Sequence, residues 1–309
     1  MVAMVRLAGT ATIALAGLLG LTYSVTHAGS RAAGGIIDAV TPPSPVPSVV
    51  ATLRPLPTSP TTPKRTIAGW PGPTNTGWRH TGVTLRLLAC APGGGVQLDQ
   101  PGMVVDGRDI PCDVLVVADD VTVRRSRITS GAPWVVRTKD GVRNFRIEDS
   151  ELVGKPGCST GLGFAGWTAL RVDIHGCADG AHTEESTLLQ DSWVHGLWRD
   201  DTSSDPPHND GVQDTGGSRV TIRHNRIENP HHQTSCILIG GEYGAPSHIL
   251  IEDNYLDGGN YTIYLDPKGT DRVIRGNVLT RRHVYGPGSV GGSYLWQGNH
   301  YLDGAPSIA

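Results

Sequence analysis

The phrase Val220-Thr-Ile-Arg-His-Asn225-Arg-Ile227 decides how this chain folds, because it recurs. It returns as Ile249-Leu-Ile-Glu-Asp-Asn254-Tyr-Leu256, and upstream as Val121-Thr-Val-Arg-Arg-Ser126-Arg-Ile128 and Phe145-Arg-Ile-Glu-Asp-Ser150-Glu-Leu152. Weaker copies end at Ser192-Trp193-Val194, Asn277-Val278-Leu279 and Asn299-His300-Tyr301, and Leu170-Arg-Val-Asp-Ile-His175 fits loosely. The Asn/Ser positions stand 24, 42, 33, 29, 23 and 22 residues apart, with the loose copy inside the gap of 42. Apolar residues two apart share one face of a strand. Repetition every 20 to 30 residues marks a solenoid. Each phrase with its Gly-rich turn, such as Leu256-Asp-Gly-Gly259, therefore reads as one coil of an all-β, single-stranded parallel β-helix. Coils stack about 4.8 Å apart, so the Asn side chains would form a ladder bonding the turn backbones above and below. Their role is structural.

Composition agrees. The 309 residues include 41 Gly and 22 Pro without a triplet period, which excludes collagen. Charged residues make up 18% and the net charge is −3, so no nucleic-acid partner is expected. Only Arg6 precedes an uncharged run from Leu7 to Val25, and small residues at Thr26 and Ala28 suit cleavage after Ala28. Residues 1–28 are thus expected to be a signal peptide or, since the run approaches bilayer length, a membrane anchor. Residues 29–68 read as a disordered linker, with eight prolines between Thr41 and Lys64. That stretch would span about 70 Å in extended form and could tether a domain at a membrane or cell wall. The β-helix occupies 69–309, expected as a monomer, secreted or on the extracellular face.

The chain resembles right-handed parallel β-helix proteins of the pectate-lyase-like superfold. It is similar, more narrowly, to secreted bacterial β-helix-repeat proteins opening with a Gly-Trp-Pro…Asn-Thr-Gly phrase, here Gly69-Trp70-Pro71 and Asn75-Thr76-Gly77. On this frame Cys90 and Cys112, and Cys158 and Cys177, lie one coil apart and are expected to form disulfides, leaving Cys236 free. The segment holding Trp70 and Trp78 is expected to cap the open end of the solenoid.

Chemistry is expected on the longest coil, Thr187 to Gly217, and its neighbours; eight of the twelve His lie between 175 and 248. Setting Ala181, Val212, Ile237 and Ile263 in one inward ladder turns His182, Gln213, Leu238 and Tyr264 outward together. Asp179 and Asp210 then fall on adjacent coils. The expected catalytic set is His208, Asp210, Lys268, Arg199 and Tyr264. Substrate is expected at His182, Gln213, Trp193, Trp198, His231 and His232, with the two Trp rings as walls. Asp179, Asp210 and Glu184 are candidate ligands for a metal, Ca²⁺ being the cofactor considered.

Such a face suits a polysaccharide. β-Elimination from an acidic polymer needs the substrate carboxylate neutralised (Arg199, or a cation on Asp210), a base (His208 or Lys268) and a proton donor (Tyr264). Two alternatives keep the enzyme reading. Asn209-Asp210-Gly211 is similar to the Asn-x-Asp-Gly phrase of polygalacturonase-type hydrolases, although their Gly-His-Gly and Arg-Ile-Lys phrases are absent. Asp205-Pro-Pro-His208 resembles, with one extra Pro, the Asp-Pro-His phrase of uronate C5-epimerases. The Trp-x-Asp-His and Arg-x-Pro-x-x-Arg phrases of pectate lyases are not found. A non-catalytic glycan-binding or surface β-helix would use the same groove without the His–Asp–Lys grouping.

Overall fold

The computed structural model describes residues 69–204 and 206–309. The leader and linker expected over 1–68 lie outside the described residues. Apart from one short 3-10 turn, Arg79–Thr81, the described elements are strands. They form three sheets of ten, nine and nine strands, and every third strand in the chain joins the same sheet. All strand pairings are parallel. A chain that visits three sheets in rotation and pairs each strand with the one a coil earlier is a parallel β-helix.

The inward face of each coil is apolar. Ile110, Ile128, Leu152, Ile174, Val194, Ile227, Leu256 and Leu279 form a fully buried stack beneath the first sheet. In the second sheet the predicted register is realised: Ala181 pairs with Val212, Val212 with Ile237, and Ile237 with Ile263, all buried. Beneath the third sheet, Trp167, Thr187, Val220 and Ile249 are followed in the same column by an arginine, Arg272, 1% exposed. Its guanidinium donates to the carbonyls of Asp266 (2.7 Å), Gly291 (2.5 Å) and Ser293 (3.2 Å). A buried charge is tolerated only when its donors are satisfied, and these carbonyls do so.

The repeated Asn and Ser stand at the bend between the third and first sheets. Asn254 Oδ1 accepts from the backbone N–H of Asn225 at 2.9 Å, and its amide donates to Ile222 O and to Asn277 Oδ1, each at 2.9 Å. Asn277 and Asn299 repeat the pattern. Ser126, Ser150 and Ser192 are shorter versions, each bonding a carbonyl two residues back. The loose copy is loose because Val172 stands where Asn or Ser would; its N–H is taken up by Ser192 Oγ at 3.0 Å.

The residue before each ladder position adopts a left-handed backbone: Arg125, Asp149, Arg171, Asp191, His224 and Asp253. Five of these pair across coils or onto the first coils. Arg171 meets Asp149 at 2.6 Å, His224 meets Asp191 at 2.6 Å, and Arg125 meets Asp106 at 2.5 Å.

Both expected disulfides are present, Cys90–Cys112 and Cys158–Cys177, and Cys236 is free and buried. Two disulfides fit an oxidising compartment. Among the described residues no helix is long and apolar enough to cross a membrane.

One expectation is corrected. The Gly69–Gly82 segment does not cap an end; it straps the outer face of the first sheet. Trp70 stacks on His224 and packs against Tyr255, with ring centres 5.7 and 5.6 Å apart. Gly77 N–H donates to Arg171 O at 2.9 Å, and Trp78 Nε1 to Glu151 Oε2 at 2.8 Å. Arg79 pairs with Glu151, and His80 with Asp149. The strap is shaped by its own Asn75, whose Oδ1 accepts the Gly72 N–H at 2.7 Å. Its rings find their partners along that flank, Trp70 on His224 and Tyr255 and Trp78 on Arg79 and Glu151.

Candidate functional site

The second sheet bends where two consecutive residues point inward. A Cβ on Gly180 would sit 2.3 Å from Val194 Cγ1, and one on Gly211 would sit 2.2 Å from Ile227 Cγ2, so both positions face the core. Ala181 and Val212, next in sequence, also face the core. Asp179 and Asp210 stand just before the doubled pair in the strands Asp179–Thr183 and Asn209–Asp214, Asp179 half-buried and Asp210 only 1% exposed. Only glycine fits at 180 and 211, and the bend depends on it.

Asp179 and Asp210 occupy neighbouring coils, and Asp210 N–H donates to Asp179 Oδ1 at 2.8 Å. Asp210 Oδ1 accepts from the Ser235 N–H at 2.9 Å and the Ser235 hydroxyl at 2.6 Å, a coil further on. Burial pushes the Asp210 carboxyl up to about 7, against the pull of the Ser235 bonds. Burial, then the charge of Asp210, raises Asp179 well above the carboxylate range. Burial is the main cause at both carboxyls, and the Asp210 charge adds to it at Asp179.

Beside the pair runs the outward row His182, Gln213, Leu238 and Tyr264, in register. His182 Nε2 lies 3.1 Å from Thr215 Oγ1, and its ring meets Phe164 edge-on at 4.8 Å. Burial lowers its pKa to about 4, so the ring is neutral at pH 7. The Tyr264 hydroxyl is held protonated above its ordinary value by burial, then by Tyr261, Tyr285 and Asp210. Tyr261 stands perpendicular to Tyr264 at 5.2 Å and packs on Tyr285 at 5.4 Å. At the other end Trp134 carries Arg137 over its ring and Phe164 at its edge.

The walls of this face are therefore Trp134, Phe164, Tyr261 and Tyr285, which the repeat phrase did not single out. Trp193 does not contribute. It belongs to the first-sheet strand Trp193–His195 and stacks on His195 at 3.5 Å. Trp198 opens the loop that follows, held through its backbone by Cys177 O and by the Asn209 amide. The chain turns a corner between Trp193 and Asp210, so nearness in sequence puts their side chains on different walls.

The other expected residues spread along the loops. His208 is exposed, with Nε2 2.6 Å from Gln233 Nε2, two residues before Asp210 in the chain. Arg199 is engaged inside its loop by Asp201 at 2.8 Å and Pro207 O at 3.3 Å. His231 bonds Leu197 O at 2.9 Å and pins that loop, while His232 is exposed. Lys268 reaches Gly241 O at 3.2 Å in the turn after the Tyr264 strand.

Glu184 is raised by burial and by Asp140 and Asp214, but its carboxylate does not gather with those of Asp179 and Asp210 as a cation site would require. The latter two are committed to the backbone of Asp210 and to Ser235. Calcium takes six to eight oxygen ligands, and this donor set does not fit it.

Among the described residues one group brings three ligand-bearing side chains within 4.8 Å of one another: Asp173, His175 and His195, on the first sheet. A hollow of about 380 Å³ at the C-terminal end, lined by Trp296, His300 and Ile308, is remote in the coil order from both groupings. No family model, curated protein or solved structure matches the chain. Fold and site together define a class, a parallel β-helix bearing a paired-carboxyl, aromatic-lined outer face.

Proposed function

We propose that this is an exported carbohydrate-active enzyme that cleaves a polysaccharide lying along the outer face of the second sheet. The observation that supports it is the Asp179–Asp210 pair, proton-retaining and set one coil apart beneath a row of sugar-facing side chains. Aromatic rings stack on sugar faces, and Gln213, His182 and Tyr264 bond hydroxyls.

For elimination from an acidic polymer, the pair is a neutraliser. A carboxyl protonated near neutral pH offers a hydrogen bond to a substrate carboxylate where an ionised one would repel it. His208, exposed at the edge, takes the C5 proton, and Tyr264, still protonated, gives one to the leaving oxygen. The same pair favours a second reading, hydrolysis, in which Asp179, the more accessible member, protonates the leaving glycosidic oxygen while a water bonds to the anomeric carbon and gives its proton to His208.

A panel of uronic-acid and neutral polysaccharides incubated with the full chain tests the proposal. Ultraviolet absorbance of an unsaturated product reports elimination, and new reducing ends without that absorbance report hydrolysis. Binding without either product would replace the enzyme reading by a glycan-binding module.

A further inference from the structure

On the first sheet, around the corner from the carboxyl pair, Asp173-Ile-His175 and Trp193-Val-His195 occupy equivalent places on successive coils. Asp173 pairs with Trp193 and His175 with His195 in the ladder, and all four side chains point outward while Ile174 and Val194 fill the core. His195 Nε2 lies 2.9 Å from Asp173 Oδ1. The two imidazoles stack with centres 5.0 Å apart. One ligand atom from each of Asp173, His175 and His195 falls within 4.8 Å of the others.

We propose that these three residues bind one divalent transition-metal ion of the zinc class. Two imidazoles and one carboxylate form a donor set suited to zinc, cobalt or nickel, and unsuited to calcium. The ion would stand where a proton now joins His195 to Asp173, with a fourth position open to water, since both His side chains keep about a quarter of their surface in solvent (26% and 22%).

The surroundings are those of a supported site. Glu151 Oε1 lies 3.4 Å from His175 Nε2, the carboxylate–histidine arrangement that orients a ligating ring. Glu151 is itself held in place by Arg79 at 2.7 Å and by Trp78 Nε1 at 2.8 Å. Trp193 stacks at 3.5 Å on His195 and fixes that ring from the other side. The N-terminal strap closes over the carboxylate: a Cβ on Gly77 would lie 3.3 Å from Asp173 Cβ. A bound ion would therefore join two coils directly beneath the strap.

The test uses the full chain, stripped with a chelator and titrated with Co²⁺, with Zn²⁺ as competitor. We expect one equivalent to develop visible d–d absorbance and Zn²⁺ to bleach it. His175→Ala and His195→Ala should each weaken binding at least about tenfold, and the double variant should abolish the band. His248→Ala, exposed on a strand of the third sheet, should leave it unchanged.

A second measurement is independent of how the variants fold. In the wild-type chain, Zn²⁺ should protect His175 and His195, but not His248, from ethoxyformylation mapped by mass spectrometry. Equal modification with and without Zn²⁺, no band in the wild type, or an undiminished band in the double variant would overturn the assignment. None of these results depends on the second-sheet face being an active site.

Discussion

The backbone N–H of Asp210 donates to the carboxylate of Asp179 at 2.8 Å, across one coil of the β-helix. Thirty-one residues separate the two in sequence, yet the stacking brings them level. Their charges cannot both be expressed cheaply in a buried setting, so the pair holds a proton into the neutral range.

That proton links stability to pH. The native Asp210 carboxyl titrates at about 7 and its unfolded counterpart at 3.8. Between those values the folded chain holds a proton that the unfolded chain has released, so stability falls as pH rises through the window. Asp210→Asn removes the titration and can still accept from Ser235. Denaturant unfolding at intervals from pH 4 to 8 should show the variant gaining on the wild type by about 4 kcal/mol. Parallel curves would refute the protonated pair.

His182 has the opposite sign. Burial lowers its pKa from 6.5 to about 4, so on acidification the unfolded state takes up a proton first. The stability it contributes is whole above pH 6.5 and declines towards pH 4. In an NMR titration the His182 ring signals should stay fixed from pH 8 to 5. A midpoint near 6.5 would mean the ring is solvated, away from Phe164 and Thr215.

The Asn ladder carries structural load. Asn254→Ala removes bonds to Asn225, Ile222 and Asn277 and leaves buried backbone groups unpaired. At about 1 kcal/mol per bond plus a desolvation penalty, the loss should be about 3 to 5 kcal/mol by urea unfolding. A loss under 1 kcal/mol would show that water replaces the amide.

Arg272 should behave likewise. Arg272→Met fills similar volume but orphans the carbonyls of Asp266, Gly291 and Ser293. A drop of at least about 3 kcal/mol is expected from thermal unfolding. A neutral or stabilising result would mean those carbonyls find other donors.

The architecture was legible because its signal repeats. Alternation in Val121–Val123 or Ile249–Ile251 marks strands, and Ser126, Ser150, Asn225 and Asn254 mark a recurring bend. Once coils are aligned on the bend, the row His182–Gln213–Leu238–Tyr264 and the two disulfides follow. What does not repeat was harder. Trp193 looked close to Asp210 because the chain between them is contiguous, but a corner separates them. Trp134, Phe164 and Tyr285 lie in coils that lack the His cluster, so nothing local flagged them.

The Asp173–His175–His195 group was hidden by Val172, which breaks the Asn/Ser pattern in that coil. The matching phrases Asp-Ile-His and Trp-Val-His, 20 residues apart, were the available signal. A sequence shows that the tryptophans of the strap need cover without showing whether an end or a flank of the solenoid supplies it.

Product formation by Asp179→Asn and Asp210→Asn shows whether the second-sheet carboxyls do chemistry on a glycan. On a polysaccharide that the wild type cleaves, each variant should form unsaturated ends or reducing ends at least about a hundredfold more slowly, while His248→Ala keeps the wild-type rate. Wild-type rates in both carboxyl variants, or no product from any polymer offered to the wild type, would contradict it.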